Sequence, residues 1–294
     1  MASLSRRLLT LRDLGSAVLF QPTRCISTSR QAWSQAKAAL KPLLATSQDN
    51  GVRIICLSNP KQRNALSLRM LTELHAALSD EDKDLRVIII THKGPVFSAG
   101  HDLKELTQET GKEYHEKVFS TCTSVMNLIQ DLPVPVIAQV KGLATAAGCQ
   151  LVATCDIAVA SEESRFATPG IHVGVFCTTP GVAVGRVLPR KVALEMMFTG
   201  QPISAKDALL HGLISKVVAE EKVEEETLKI ANHICQFSKE VITHGKAAFY
   251  AQMSLEKRAA YRFAERAMVD NLQLPDAQEG IRAFIEKRPP QWKY

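Results

Sequence analysis

Two short stretches of this sequence place small residues after a β-forming run and follow them with helix-compatible residues. One is Pro95-Val96-Phe97-Ser98-Ala99-Gly100-His101-Asp102-Leu103-Lys104-Glu105, after the run from Arg86 to Thr91. The other is Lys141-Gly142-Leu143-Ala144-Thr145-Ala146-Ala147-Gly148-Cys149-Gln150-Leu151-Val152-Ala153-Thr154-Cys155-Asp156, after the run from Val134 to Val140. A helix N-terminus leaves N–H groups without intrahelical partners and carries partial positive charge, so a turn of this kind suits a phosphate or a developing oxyanion. The spacing does not fit a phosphate loop, because neither Gly-x-Gly-x-x-Gly nor a Gly-Lys-Ser/Thr ending is present. One N–H from each turn, converging on a carbonyl oxygen, makes an oxyanion hole, as acyl-transfer or enolate chemistry requires. Either stretch alone serves equally as a close helix–strand packing turn.

Together the two stretches resemble the signature of the crotonase, or enoyl-CoA hydratase/isomerase, superfamily. That signature pairs a Phe-Ser-Ala-Gly-x-Asp-Leu/Ile-Lys-Glu turn with a later Gly-x-x-x-Gly-Gly-Gly-Cys-Glu turn. The similarity runs from about Gln48 to Lys293 and includes Phe284-Ile285-Glu286-Lys287-Arg288. The resemblance implies an α/β fold, a crotonase-type spiral of repeated ββα units with a C-terminal helical trimerisation segment, assembled as trimers or pairs of trimers. It implies a CoA thioester as substrate or ligand and no permanently bound cofactor. It also implies that His101 and Ala147 supply the oxyanion-hole N–H groups, where the turn matters more than the side chain. By the same analogy Lys61, Gln62, Ala99, Asp102 and Leu103 line the CoA pocket. Phe284 and Lys287 complete it, from the same or a neighbouring subunit. Taken singly, Lys61 and Lys287 read as solvated surface charges.

The catalytic groups depart from that family. Hydration of an enoyl thioester needs one carboxylate to activate water and a second acid to handle the proton at the α-carbon. The family places these glutamates where this chain has Gln150 and Gly170, and related isomerases place a further acid where it has Thr178. Gln hydrogen-bonds but does not titrate, and Gly has no side chain. Acid–base groups contribute about 10²–10⁴-fold each, so ordinary hydration is expected to be weak or absent. His101, His172 and Cys177 are the titratable residues left in or near the site.

Two further functions stay open. Loss of CO2 from a malonyl-type CoA thioester forms the enolate by C–C cleavage, so an oxyanion hole of His101 and Ala147 could suffice. The first turn is similar to that of methylmalonyl-CoA decarboxylases, which carry a His at the same place but retain an acid where this chain has Gln150. The other reading is a non-catalytic acyl-CoA binder, or a subunit that modifies related oligomers.

The elements that must position these turns alternate between β and α character. Val52 to Leu57 reads as a strand, and Asn59 to Asn64 as a turn. Leu66, Met70, Leu74, Ala77 and Leu78 have helical spacing. Val87-Ile88-Ile89-Ile90 is apolar on both faces and should be buried on both. Tyr114, Val118, Val125, Met126 and Ile129 mark a long helix ending before Pro133, and Asp156 to Ala160 is a further strand. Gly170 to Pro180 reads as irregular. Gly200 should end the helix through Leu194 to Phe198, and Ser204 with Asp207 should cap one closed by Gly212. Such alternation argues for an α/β core. The expected division is a core over 46–235 and a helical segment over 236–294.

Residues 1–30 hold Arg6, Arg7, Arg12, Arg24 and Arg30 against a single acid, Asp13, with five serines. That composition reads as a mitochondrial transit peptide, and its apolar residues are too interrupted for a membrane span. Five arginines against one aspartate give this leader +4 of the formal +6, leaving +2 for the rest. So small an excess excludes a nucleic-acid partner. The seven cysteines form no Cys-x-x-Cys pair and have no His at zinc spacing. They read as small buried thiols of a reducing compartment such as the mitochondrial matrix, with no metal bound. The sequence thus points to a mitochondrial acyl-CoA-binding protein of fatty-acid metabolism, without nucleic-acid or membrane-spanning function.

Overall fold

The strand Val87–His92 (β3) shows how the core divides. Side chains alternate across a strand, and here both faces are apolar. Ile88 and Ile90 enter a large cluster with Leu71, Leu74, Phe97 and Val125. Val87 and Ile89 enter a smaller one with Val223 and Ala231. The strand is therefore covered by helices on both sides, as a parallel central strand must be.

The computed structural model describes residues 41–293, so the leader and its transit-peptide reading lie outside the described residues. Two strands, Leu44–Asp49 (β1) and Val52–Leu57 (β2), pair antiparallel. Helix α1 is Leu68–Ser79, capped by the Ser67 hydroxyl accepting from the Met70 N–H. From β3 onward one plan repeats: a strand in a larger sheet, a short strand in a smaller sheet, then a helix. The first unit is β3, Val96–Ser98 (β4) and Lys112–Asp131 (α2). The second is Val136–Val140 (β5), Leu143–Thr145 (β6) and Ala147–Thr154 (α3). The third is Ile157–Ser161 (β7), Arg165–Ala167 (β8) and Thr178–Val187 (α4).

After these come Arg190–Thr199 (α5), Ile203–Ser204 (β9), Ala205–His211 (α6), Lys216–Val218 (β10) and Val223–Ile234 (α7). The chain closes with Lys239–Met253 (α8), Lys257–Leu272 (α9) and Pro275–Glu286 (α10). The larger sheet has the order β1-β2-β3-β5-β7-β10, the smaller β4-β6-β8-β9. All neighbours are parallel except β1–β2 and β8–β9. This is the expected α/β spiral of ββα units with C-terminal helices.

Several boundaries differ from the sequence reading. Each turn expected to pass directly from strand to helix contains a three-residue strand, and these pair with one another, Val96 opposite Leu143 and Ser98 opposite Ala144. So short a strand of small residues carries no readable period. Helix α3 therefore starts at Ala147, just after β6, and β5 starts at Val136 rather than Val134. The segment read as irregular holds a 3-10 turn, Pro169–Val173, and the first residues of α4. The two expected helix ends hold: Gly200 (φ 65°) and Gly212 (φ 88°) are left-handed C-caps. Ser204 caps α6 by accepting from the Asp207 N–H.

Helices α8 and α9 contain no buried residue. Helix α8 is nonetheless tied to the core by the Lys246 ammonium, which donates to Asp156 Oδ2 at 2.7 Å and to the carbonyls of Ile129 and Val134. Phe249, Met268, Ile281, Phe284 and Ile285 leave a broad apolar face exposed. Among the described residues no helix is long and apolar enough to cross a membrane.

Candidate active site

The ends of β4 and β6 lie side by side, and two glycines let the following turns close on each other. A Cβ on Gly148 would lie 2.5 Å from the Ser98 carbonyl oxygen. Gly100, at φ +83°, would carry a Cβ only 2.8 Å from that of Ala146. Both contacts are shorter than real Cβ atoms tolerate, so only glycine fits. Ser98 is fully buried and stitches the first turn: its hydroxyl donates to the Asn64 carbonyl at 2.8 Å and accepts from the Gly100 N–H.

Ala146, just before α3, has φ 50° and ψ −121°, a conformation that ordinarily belongs to glycine. Its N–H donates to the Ala167 carbonyl at 2.9 Å, which fastens the second turn to the end of β8. Ala147 is then the first residue of the helix, where intrahelical bonding leaves its N–H unused. Among the hydrogen bonds of the described residues, none has the main-chain N–H of His101 or Ala147 as donor.

Both residues line a cavity of about 490 Å³. Ala99, Leu103, Leu106 and Phe119 form one wall, and the segment from Pro169 to Pro180 forms the other. Val173, Val175 and Phe176 make that second wall apolar, and Phe176 leans on Phe198 with ring centroids 5.9 Å apart. Among the described residues no Asp, Glu, Lys or Arg lines the cavity, and its titratable side chains are His101, His172 and Cys177.

These three are held differently. His101 Nδ1 lies 3.1 Å from the Leu66 carbonyl oxygen, which can only accept, so Nδ1 bears the hydrogen and Nε2 a lone pair. Nε2 is buried and has no partner among the described residues. Burial pushes the pKa of His101 down, opposed by the Leu66 carbonyl and the Glu105 charge, and the ring meets Phe119 edge-on at 5.1 Å. His172 Nε2 donates to the Thr199 carbonyl at 2.8 Å, holding the 3-10 turn against the end of α5. Cys177 Sγ accepts from the Gly170 N–H at 3.3 Å, and burial pushes its thiol pKa up.

The structure thus brings Ala99, His101, Leu103, Ala147 and Gly170 to one cavity. Gln150 lies outside its lining, buried within α3, with Oε1 unpartnered among the described residues. At Gly170 the backbone is already covered: a Cβ would lie 2.7 Å from the Val175 carbonyl oxygen and 2.9 Å from Cys177 Sγ. Lys61, Gln62, Asp102, Phe284 and Lys287 do not line the cavity. Lys61 and Gln62 are exposed on a 3-10 turn, and Asp102 caps the next such turn through the Lys104 N–H. Phe284 is 85% exposed and borders a separate depression with Phe237 and Trp292. Lys287 is an exposed left-handed C-cap of α10.

The sequence reading missed Leu106, Phe119 and the apolar run Val173 to Phe176 as cavity walls. Phe119 had the clearest signal, one residue after Val118 on a helix already identified. The strain at Ala146 had none, since alanine there looks like any helix former.

A family model described as Enoyl-CoA hydratase/isomerase matches residues 47–294. The mouse enoyl-CoA hydratase domain-containing protein 3, mitochondrial, is 61% identical over 254 residues, covering 86% of this chain and 85% of that protein. The crystal structure of human enoyl-CoA hydratase domain-containing protein 3 superposes with TM-score 0.84 at 59% identity, covering 85% of this chain and all (100%) of that one. A Mycobacterium smegmatis enoyl-CoA hydratase structure superposes with TM-score 0.84 at 46% identity, covering 86% of this chain and 100% of that one.

Proposed function

The chain belongs to the enoyl-CoA hydratase/isomerase family, and on that footing we propose that it binds acyl-CoA thioesters and acts in mitochondrial fatty-acid metabolism. The thioester carbonyl oxygen sits between the main-chain N–H groups of His101 and Ala147. The observation that carries this reading is the pair of packed turns that leave those two N–H groups without acceptors among the described residues, at one apolar cavity. Preorganised main-chain donors in a water-poor site stabilise an enolate oxygen more than a ground-state carbonyl. Lys61 and Gln62, exposed on the 3-10 turn Pro60–Gln62, and Asp102, the cap of the next such turn, serve the CoA moiety in this reading. Phe284 and Lys287 act there when the exposed apolar face of α8–α10 is covered by further copies in a trimer or a pair of trimers. Close relatives carry the word mitochondrial in their names, in keeping with the arginine-rich leader, residues 1–30.

Ordinary hydration is weak or absent in this reading. Gln150 does not titrate, and the Gly170 position has no room for a side chain while Val175 and Cys177 lie over it. A second reading, decarboxylation of a malonyl-type thioester, is favoured by the absence of any Lys or Arg from the cavity lining among the described residues. A carboxylate placed there loses its hydration without gaining a counter-charge, while its departure leaves an enolate at the two N–H groups.

The test is to incubate the purified chain with enoyl-, 3-hydroxyacyl- and malonyl-type CoA thioesters, following binding and product mass together. Binding of enoyl thioesters with negligible water addition is expected. Efficient hydration overturns the assignment of Gln150 and Gly170, CO2 release establishes the second reading, and no binding removes the acyl-CoA premise.

A further inference from the structure

The cavity is larger than a short acyl group needs. At about 30 Å³ for each water-sized group, a volume of about 490 Å³ holds on the order of fifteen of them. An acetyl or butyryl thioester leaves most of that space unfilled, and unfilled apolar walls forfeit their dispersion contacts. Phe119 and Phe176, one from each wall, remain 36% and 45% exposed, so each ring has a face to give to a ligand. Phe119 meets the His101 ring edge-on, which sets its wall beside a residue whose main-chain N–H has no acceptor among the described residues.

The second wall is fixed in shape. The Val175 N–H donates to the Gly170 carbonyl at 3.0 Å, and the Phe176 carbonyl accepts from the Thr178 N–H at 2.7 Å and from the Thr178 hydroxyl at 3.2 Å. His172 ties the same segment to the Thr199 carbonyl, and the Phe198 ring backs that of Phe176. Val173, Val175 and Phe176 thus offer the cavity an apolar surface set in advance, on which a chain settles at lower entropic cost.

We infer that the acyl group taken here is an apolar chain of medium length, about six to ten carbons, held between Phe119 and Phe176, and that Phe176 sets the preference for it over acetyl. The inference rests on the acyl-CoA reading above. Among the described residues no charged side chain lines the cavity, so a charged tail would lose its hydration without gaining a counter-charge. A second copy of this chain seated on Val173, Val175 and Phe176 would cover the same surface. Chain length tells the two apart, since only an acyl chain gains with each methylene.

The experiment is calorimetric titration of the full chain with acetyl-, butyryl-, hexanoyl-, octanoyl-, decanoyl- and dodecanoyl-CoA, with free CoA as reference. Affinity is expected to rise about two- to fourfold per methylene from butyryl to octanoyl and to level off by dodecanoyl. Phe176→Ala should cut the preference for octanoyl- over acetyl-CoA about tenfold, whereas a purely structural role would weaken both alike. Phe176→Leu, which keeps an apolar side chain, should restore most of that preference. The wild-type series needs no variant, so the test survives a misfolded substitution. Affinity that is independent of chain length, strongest for acetyl or butyryl, or still rising at dodecanoyl overturns the inference and leaves the acyl-CoA reading intact. A preference unchanged in Phe176→Ala does the same. Failure of every thioester to bind overturns both.

Discussion

Gly100 and Ala147 come from different repeats of the fold, yet a Cβ on Gly100 would lie 3.1 Å from the Ala147 main-chain nitrogen. The two candidate oxyanion donors are thus spaced by direct contact between their turns and not by long side chains. Residues at the crossing set the geometry, and their smallest changes should be felt at the carbonyl oxygen.

Gly100→Ala tests that contact. The substitution places a side chain at φ +83° and drives it into Ala146. Left-handed strain alone costs of order 1–3 kcal/mol, with overpacking of similar size added. A clear fall in Tm is expected, together with loss of thioester binding beyond what the stability change explains, measured by thermal unfolding and calorimetric titration.

Ala146→Gly should act in the opposite sense. The native φ 50°, ψ −121° suits glycine, so the substitution relieves strain of about 1–3 kcal/mol against an unfolded-state entropy penalty of about 0.4–1 kcal/mol. Urea unfolding should show a net gain of about 1 kcal/mol. An unchanged or lower midpoint would mean that the Ala167 and Gly100 contacts fully determine the turn.

The letters of the two turns were legible because Gly100 and Gly148 are needed wherever these backbones meet, whichever residue supplies the N–H. The helices followed from period, as with Met70, Leu74 and Leu78 on α1. Strands of three residues, such as Val96–Ser98, exist only through pairing with distant strands and leave no local trace. The free lone pair of His101 depends on the carbonyl of Leu66, thirty-five residues away in sequence. Closure over Gly170 likewise depends on where Val175 and Cys177 fold back. The reading of Gln150 and Gly170 as the positions of family acids comes from the resemblance alone, whereas packing shows that the Gly170 backbone is covered.

His92, at the end of β3, predicts an acid-sensitive stability. Its Nε2 accepts from the Lys141 N–H, and burial pushes its pKa down from 6.5 to about 4. Between those values the unfolded chain binds the proton and the folded chain does not, so stability is complete above pH 6.5 and falls as pH drops towards 4. The loss from this residue is about 3 kcal/mol across that window. His92→Gln should flatten the dependence over that window in chemical denaturation, whatever its effect at pH 7.

Lys246 anchors α8 through a part-buried ion pair whose removal is asymmetric. Its side chain is 7% exposed and that of Asp156 15%, while Asp156 also accepts from the Tyr250 hydroxyl and the Val136 N–H. Lys246→Met leaves the part-buried carboxylate without its cation, at about 3–5 kcal/mol. The double variant Lys246→Met/Asp156→Asn removes the charge as well and should cost less than the sum of the two single variants. An additive result in a double-mutant cycle by denaturant unfolding would show that the pair is not coupled.

Glutamates placed at the two positions that the resemblance assigns to the family's acids, Gln150 and Gly170, should each fail for a different reason. Gln150→Glu puts a carboxylate at a site 5% exposed where the native Oε1 already has no partner among the described residues. Desolvation should raise that carboxyl's pKa, so this variant is expected to be more stable at pH 5 than at pH 8 relative to wild type. Gly170→Glu meets the Val175 carbonyl at 2.7 Å, and backbone cannot yield as a side-chain tip does. The 171–177 segment must move, carrying with it His172, Val173 and Phe176 from the cavity wall. Gly170→Ala already contains the offending Cβ and should lower stability by about 1–3 kcal/mol. The double glutamate variant should therefore gain little hydration of an enoyl-CoA, and its crystal structure should show the segment displaced. If it hydrates efficiently with that segment in place, closure over Gly170 is not what withholds the reaction, and the two missing carboxylates alone explain it.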